Sequence, residues 1–179
     1  MASNALLKLS LLILLAIIFL ASSEPMLDRK MKETKLVFYM DDWGTGADAT
    51  AFMVGGIPKK QWGVLQFGTV YATDDKLTES YDRNSTEVGR AQGLYVNSAL
   101  DGSDLHLVMS LVFTSGEFNG STLEIQGADR FYLKYREVSV VSGTGKFRLA
   151  RGYIVLETVF IDIKNSNAII RCNVTVYHH

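Results

Sequence analysis

The sequence predicts an all-β chain closed into an antiparallel barrel, and three observations carry that expectation. Segments rich in β-branched and aromatic residues recur at even spacing after Thr34. The stretches between them hold turn-forming residues, namely Asp101-Gly102, Gly116, Asn119-Gly120 and Gly143-Thr144-Gly145. No segment of ten or more residues sustains an apolar period of 3.6.

Taken in order, Lys35 to Met40 is β-branched and aromatic and reads as the first strand. Gly63 to Thr73 (Gly-Val-Leu-Gln-Phe-Gly-Thr-Val-Tyr-Ala-Thr) reads as the second, with a kink at Gly68. Gly89 to Asn97, Leu105 to Thr114, Ser121 to Gln126 and Asp129 to Val141 follow, and Lys146 to Asp162 and Ala168 to Tyr177 complete the set. Closure removes unpaired edges, so evenly spaced strands of this number favour a barrel over an open sheet. An eight-stranded barrel is just wide enough to hold one small ligand. The expected fold is therefore an eight-stranded, up-and-down antiparallel β-barrel with a central pocket.

The chain opens differently. Lys8 precedes an apolar run from Leu11 to Leu20, then the small residues Ala21-Ser22-Ser23, then Glu24-Pro25. A basic start, a short apolar core and small residues before a polar break describe a secretory signal peptide over 1–23, cleaved near Ser23. A membrane helix needs about 20 apolar residues, more than this run supplies. Residues 24–179 are then a single domain, about the size that buries a real core. The mature protein is expected to be secreted to the extracellular space, with no membrane attachment after cleavage. Loss of Lys8 takes the formal net charge from −1 to about −2, which points to neither nucleic acid nor an anionic membrane. Cys172 has no second cysteine to pair with, and it lies in a strand pattern that suggests a buried, inert thiol.

Several chemistries find little support. Ser142-Gly143-Thr144-Gly145-Lys146 lacks the phosphate-loop spacing and no helix follows, so a tight hairpin is the ordinary explanation. His106 stands alone and His178-His179 are terminal, so no metal-ligand spacing arises and no metal or other cofactor is expected. No nucleophile elbow is present either. What remains is a set of acids, a guanidinium and phenols. Asp41-Asp42 end the first strand pattern. Asp129 and Arg136 lie seven residues apart on one extended segment, an odd spacing that puts them on opposite faces of an ideal strand. A bulge, or a place for Asp129 at the rim, would let them converge; otherwise each is a surface residue or half of a salt bridge. The alternation of Phe131, Leu133 and Tyr135 sets Arg136 on the face opposite them if that strand is regular. Three sequons occur, at Asn84, Asn119 and Asn173. The first two sit in polar, turn-like stretches suited to a glycan, and use of Asn173 depends on its facing outward from a strand.

Three stretches together resemble the dirigent proteins, a plant secreted family that handles phenolic radicals and quinone methides. They are Phe38-Tyr39-Met40-Asp41-Asp42, Gly89-Arg90-Ala91-Gln92-Gly93-Leu94-Tyr95, and Gly127-Ala128-Asp129 with Arg136 to Phe147 and Arg151-Gly152. The resemblance implies an eight-stranded barrel, usually assembled as a homotrimer. It implies that Asp42, Asp129 and Arg136 line the pocket and act on a quinone methide, with Tyr95 as a substrate-binding tyrosine. Asn97 stands where some lignan-forming relatives carry a second tyrosine.

The resemblance supports three readings. The leading one is stereoselective coupling of phenoxyl radicals, such as those of coniferyl alcohol, to lignan-type products through bis-quinone methides. The chain has no redox centre of its own, so oxidation would come from a separate laccase or peroxidase. The second is a pterocarpan synthase-like lyase that dehydrates an isoflavanol through a quinone methide. The third is a non-catalytic barrel that binds a phenolic or a carbohydrate in the plant cell wall.

Overall fold

A computed structural model describes residues 31–179 and, before them, Ile13 alone; the signal-peptide segment 1–23 thus falls outside the described residues, Ile13 excepted. Nine strands run in chain order: β1 Lys32–Trp43, β2 Ala51–Gly55, β3 Val70–Thr78, β4 Glu87–Asn97, β5 Leu105–Phe113, β6 Thr122–Asp129, β7 Arg136–Thr144, β8 Arg151–Asp162 and β9 Asn167–His178. Their spatial order is β1-β9-β8-β7-β6-β5-β4-β3-β2, all antiparallel, and β1 also pairs with β3. That last pairing closes eight strands into a barrel and leaves β2 as a ninth, outside the ring and paired only with β3. The terminal strands share the longest ladder, from Lys32 opposite His178 to Trp43 opposite Asn167.

The expected barrel is present, with four corrections to its strands. β2 was not foreseen, since Ala51-Phe52-Met53-Val54 is a short apolar run cut off by Gly55-Gly56. The strand expected over Gly63–Thr73 starts only at Val70 and continues to Thr78. Gly68 has φ +82°, a left-handed conformation that ends any strand before it. The segment expected as one strand from Asp129 to Val141 is two, because residues 130–135 form a loop between β6 and β7. The strand expected from Lys146 begins at Arg151, after a short 3-10 turn at Gly145–Phe147.

Alternation along the strands divides the interior into two ends. Leu107, Met109, Leu111 and Phe113 on β5 point inward, as do Val174 and Val176 on β9. At one end Phe113, Phe118 and Phe147 form an aromatic plug, with Phe118 stacked on Phe147 at 4.7 Å. Each fully buried side chain of this size stabilises the fold by about 1.5–3 kcal/mol. β4 gains its close fit to β5 through small inward residues: a Cβ on Gly89 would lie 2.3 Å from the Val112 carbonyl oxygen, and one on Gly93 2.3 Å from that of Val108. Cys172 is buried, as expected, and burial pushes its thiol up to about 12. The opposite end, where β1, β4 and β6 finish and β7 starts, is not plugged and holds the pocket.

Candidate active site

β1 carries Phe38, Met40 and Asp42 inward in succession, so the apolar interior turns acidic one residue before the strand ends. Asp42 faces a cavity that Tyr95, Asp129, Phe131 and Arg136 also line. Burial pushes the Asp42 carboxyl up to about 7; the Tyr95 hydroxyl opposes that rise and the Asp129 charge adds to it. Asp42 is therefore substantially protonated at neutral pH. The Tyr95 hydroxyl donates to Asp42 Oδ1 at 3.5 Å. Its ring stacks on Tyr71, its register partner on β3, at 4.7 Å and 18°. Burial, with the Asp42 and Asp75 charges, keeps the Tyr95 phenol protonated.

Asp129 ends β6 and Arg136 begins β7, so the loop between them folds the chain back and brings the two side chains together at the rim. Arg136 Nε donates to Asp129 Oδ1 at 2.5 Å, and both residues are buried. Burial pushes Asp129 up and the Arg136 guanidinium pulls it back. Arg136 Nη1 is also buried and finds no hydrogen-bond partner among the described residues. The convergence allowed by a rim position is thus realised. The alternation argument is corrected, because Phe131, Leu133 and Tyr135 belong to a loop: Phe131 turns into the pocket while Leu133 and Tyr135 are exposed.

Two further residues belong to this end and were missed. Tyr71 and Asp75 lie on the inward face of β3, which had been expected to end at Thr73. Thr50 Oγ1 donates to Asp75 Oδ1 at 2.6 Å, and burial together with the Asp42 charge pushes Asp75 well above the usual carboxylate range. A strand started after Gly68 and read with period two would have found both. Asn97 is structural: its Nδ2 donates to the Val64 and Gly102 carbonyls, pinning two loops over the barrel end. Asp41 points outward, away from the pocket. Of the sequons, Asn84 and Asn119 are exposed on loops, and Asn173 is half-buried on the outward face of β9.

Fold and site together define a β-barrel with a pocket at one end, lined by a buried carboxyl, a phenol and an arginine–carboxylate pair. The family model for dirigent-like proteins matches residues 33–177, and the chain belongs to that family. It is 40% identical to Dirigent protein 1 of Arabidopsis thaliana over 147 residues, 82% of this chain and 80% of that one. It is 38% identical to Pterocarpan synthase 1 of Glycyrrhiza echinata over 149 residues, 83% of this chain and 79% of that one. Two solved structures of pterocarpan synthase dirigent proteins superpose well. One gives a TM-score of 0.80 at 37% identity, covering 85% of this chain and 88% of the other. The second gives 0.78 at 38%, covering 83% and 96%.

Proposed function

We propose that this pocket binds a phenolic compound and directs the fate of its quinone methide, with Asp42 as proton donor. The observation that carries this reading is the Asp42 carboxyl at the pocket wall beside the Tyr95 hydroxyl, where burial pushes it up to about 7. Such a group can act as a general acid, an effect worth about 10²–10⁴-fold. The Arg136 guanidinium has Nη1 without a partner among the described residues, so it can donate to a substrate oxygen that gathers negative charge. The walls would hold one face of the intermediate toward the attacking hydroxyl.

Two routes lead to such an intermediate. In dehydration, Asp42 protonates the hydroxyl of an isoflavanol; the C–O bond breaks and water leaves. The phenolic proton passes to the Asp42 carboxylate, leaving the quinone methide. A second hydroxyl then forms the new C–O bond, and its proton ends on the quinone methide oxygen as the ring rearomatises. The net change is loss of one water. In coupling, a separate laccase or peroxidase removes one electron and one proton from each of two phenols. The radicals join to a bis-quinone methide, and hydroxyl addition again moves a proton to each quinone methide oxygen. Relatives named pterocarpan synthases favour the first route, and those named dirigent proteins keep the second in play. Incubation with a 2′-hydroxyisoflavan-4-ol alone, and with coniferyl alcohol plus laccase, each followed by chiral chromatography, separates them. Conversion without oxidant supports dehydration; an enantiomeric excess only with laccase supports coupling; no effect in either arm overturns the reading.

The same proposal extends to setting and assembly. Residues 1–23 would direct secretion to the apoplast, and the exposed Asn84 and Asn119 would accept glycan. A homotrimer would cover the apolar row that crosses the outer face through Phe52, Ala72, Leu94 and Val108, which are successive register partners on β2 to β5.

A further inference from the structure

A second groove lies on the outside of the barrel, at the seam where β1 meets β3, and Asp41, Lys76, Tyr81, Arg83 and Asn84 are among its walls. Asp41 is the most buried of them. It is only 1% exposed, and neither carboxyl oxygen has a hydrogen-bond partner among the described residues. Arg83 Nε stands 3.9 Å from Asp41 Oδ1, too far to bond it, and is likewise buried without a partner. The surrounding side chains are fixed. The Arg83 guanidinium sits over the Trp43 ring, 3.7 Å from its centroid, and the half-exposed Tyr81 packs edge-on against Tyr39 at 6.4 Å. A buried acceptor left unpaired costs about 1–3 kcal/mol, so packing does not explain the Asp41 carboxyl. One kind of group satisfies both sides at once: a hydroxyl, which donates to Asp41 and accepts from Arg83 Nε. A sugar ring carries several, and it offers a C–H face to an aromatic ring such as that of Tyr81.

The source of such a sugar lies in the groove itself. Asn84 follows Arg83 in the chain, lines the same groove and opens the sequon Asn84-Ser85-Thr86. Its loop is tied down, with Asn84 N donating to Asp82 Oδ1 at 2.9 Å and Ser80 N to Ser85 Oγ at 3.2 Å. We propose that this groove is the docking site of the chain's own N-linked glycan at Asn84, whose first sugar sets its polar groups between Asp41 and Arg83. The inference rests on the reading of Asn84 as a glycan acceptor and is independent of the chemistry in the pocket. A sugar held in this way bridges the seam of the barrel, from the β3–β4 loop to β1, and should stabilise its closure. The sequon at Asn119, on the β5–β6 loop, is not among the groove's walls.

The test uses the full chain secreted from a eukaryotic host and reads the thermal midpoint, with mass spectrometry of the Asn84 peptide to show whether it carries glycan. Asn84→Gln removes the acceptor, and Thr86→Ala removes the sequon while keeping Asn84. Each should lower the midpoint by about 2–4 °C, the worth of one net hydrogen bond in a chain of this size. The same two changes made on an Asp41→Asn background should lower it by less than half as much. The readout is the interaction between the sites, which a glycan acting only by its bulk would not produce. Equal losses on both backgrounds overturn the inference, as does a wild-type midpoint that ignores loss of the glycan. A bare Asn84 in wild type shows instead that the sequon reading fails, and this inference goes with it. Arg83→Lys, which removes the Nε donor and keeps the charge, serves as the second background if Asp41→Asn does not fold; an undiminished loss there also overturns the inference.

Discussion

Asp42 and Asp41 are chain neighbours with opposite fates. Asp42→Asn keeps the volume but cannot donate a carboxylic proton, so product formation or stereoselectivity should fall at least about tenfold, as lost general-acid catalysis requires. In wild type the protonated form is the donor, so the rate should fall as pH rises through about 7. A rate that climbs through that range, or an Asp42→Asn variant as active as wild type, rules the acid role out. Asp41 is only 1% exposed, its carboxylate has no hydrogen-bond partner, and Arg83 Nε is 3.9 Å away. Burial pushes it up to about 6, with Arg83 and Lys76 opposing. The folded chain therefore holds this proton more tightly than the unfolded one. Its contribution to stability is complete below about pH 4 and is lost as pH rises to about 6. Asp41→Asn should remove that fall and be more stable than wild type at pH 7 by up to about 3 kcal/mol, read from urea unfolding at both pH values. Arg136 behaves as half of a buried pair. Arg136→Ala leaves Asp129 uncompensated and should cost about 3–5 kcal/mol. Arg136→Lys retains charge and much of that stability but loses the planar fork, and product yield should drop nearly as far as with alanine. The motif positions Asp42, Tyr95, Asp129 and Arg136 were legible in the sequence and meet at one pocket. Tyr71 lay inside the expected strand but its inward face was not read, and Asp75 lay beyond that strand's expected end at Thr73.

Among the elements, β5 was legible because period-two burial runs through its whole length, and β4 follows the same alternation after its first residues. The errors fall where glycine or a loop interrupts an otherwise strand-like composition. Residues 63–69 hold Val64, Leu65 and Phe67, yet this segment is tied to the rim through Gly68 N to the Asn97 carbonyl and Asn97 N to the Thr69 carbonyl. Residues 130–135 carry the aromatic alternation of a strand, and only the ion pair on either side of them reveals the turn. The small residues of β4 make a sharp forecast. Gly93→Ala would force its Cβ against backbone of β5, which cannot yield as a flexible side chain can. A loss above about 2 kcal/mol is expected, in the range of overpacked cores. A thermal midpoint unchanged from wild type would show that β4 and β5 can part at no cost.

At the scale of the whole molecule, the exposed side chains Phe52, Leu94 and Val108 form an apolar row too continuous to be scattered surface residues. Light scattering should give a mass near three chains for wild type and near one chain for a Leu94→Glu/Val108→Glu double variant. A wild-type monomer at micromolar concentration rules the assembly out, and an unchanged oligomer in the double variant moves the interface elsewhere. The longest ladder in the molecule has a different consequence, one of timing. β1 pairs along its full length with β9, the last of the nine described strands in chain order. On the ribosome, β1 emerges before β9, so its partner on that side does not yet exist. Until β9 emerges, the nascent polypeptide presents β1 as an open edge carrying Val37 and Phe38. Such a chain cannot complete its fold as it is synthesised and depends on its surroundings to keep that edge from foreign strands. Truncation of even the last turn of sequence should thus harm yield in the cell far more than it harms the chemistry of the pocket, which lies at the other end of the barrel.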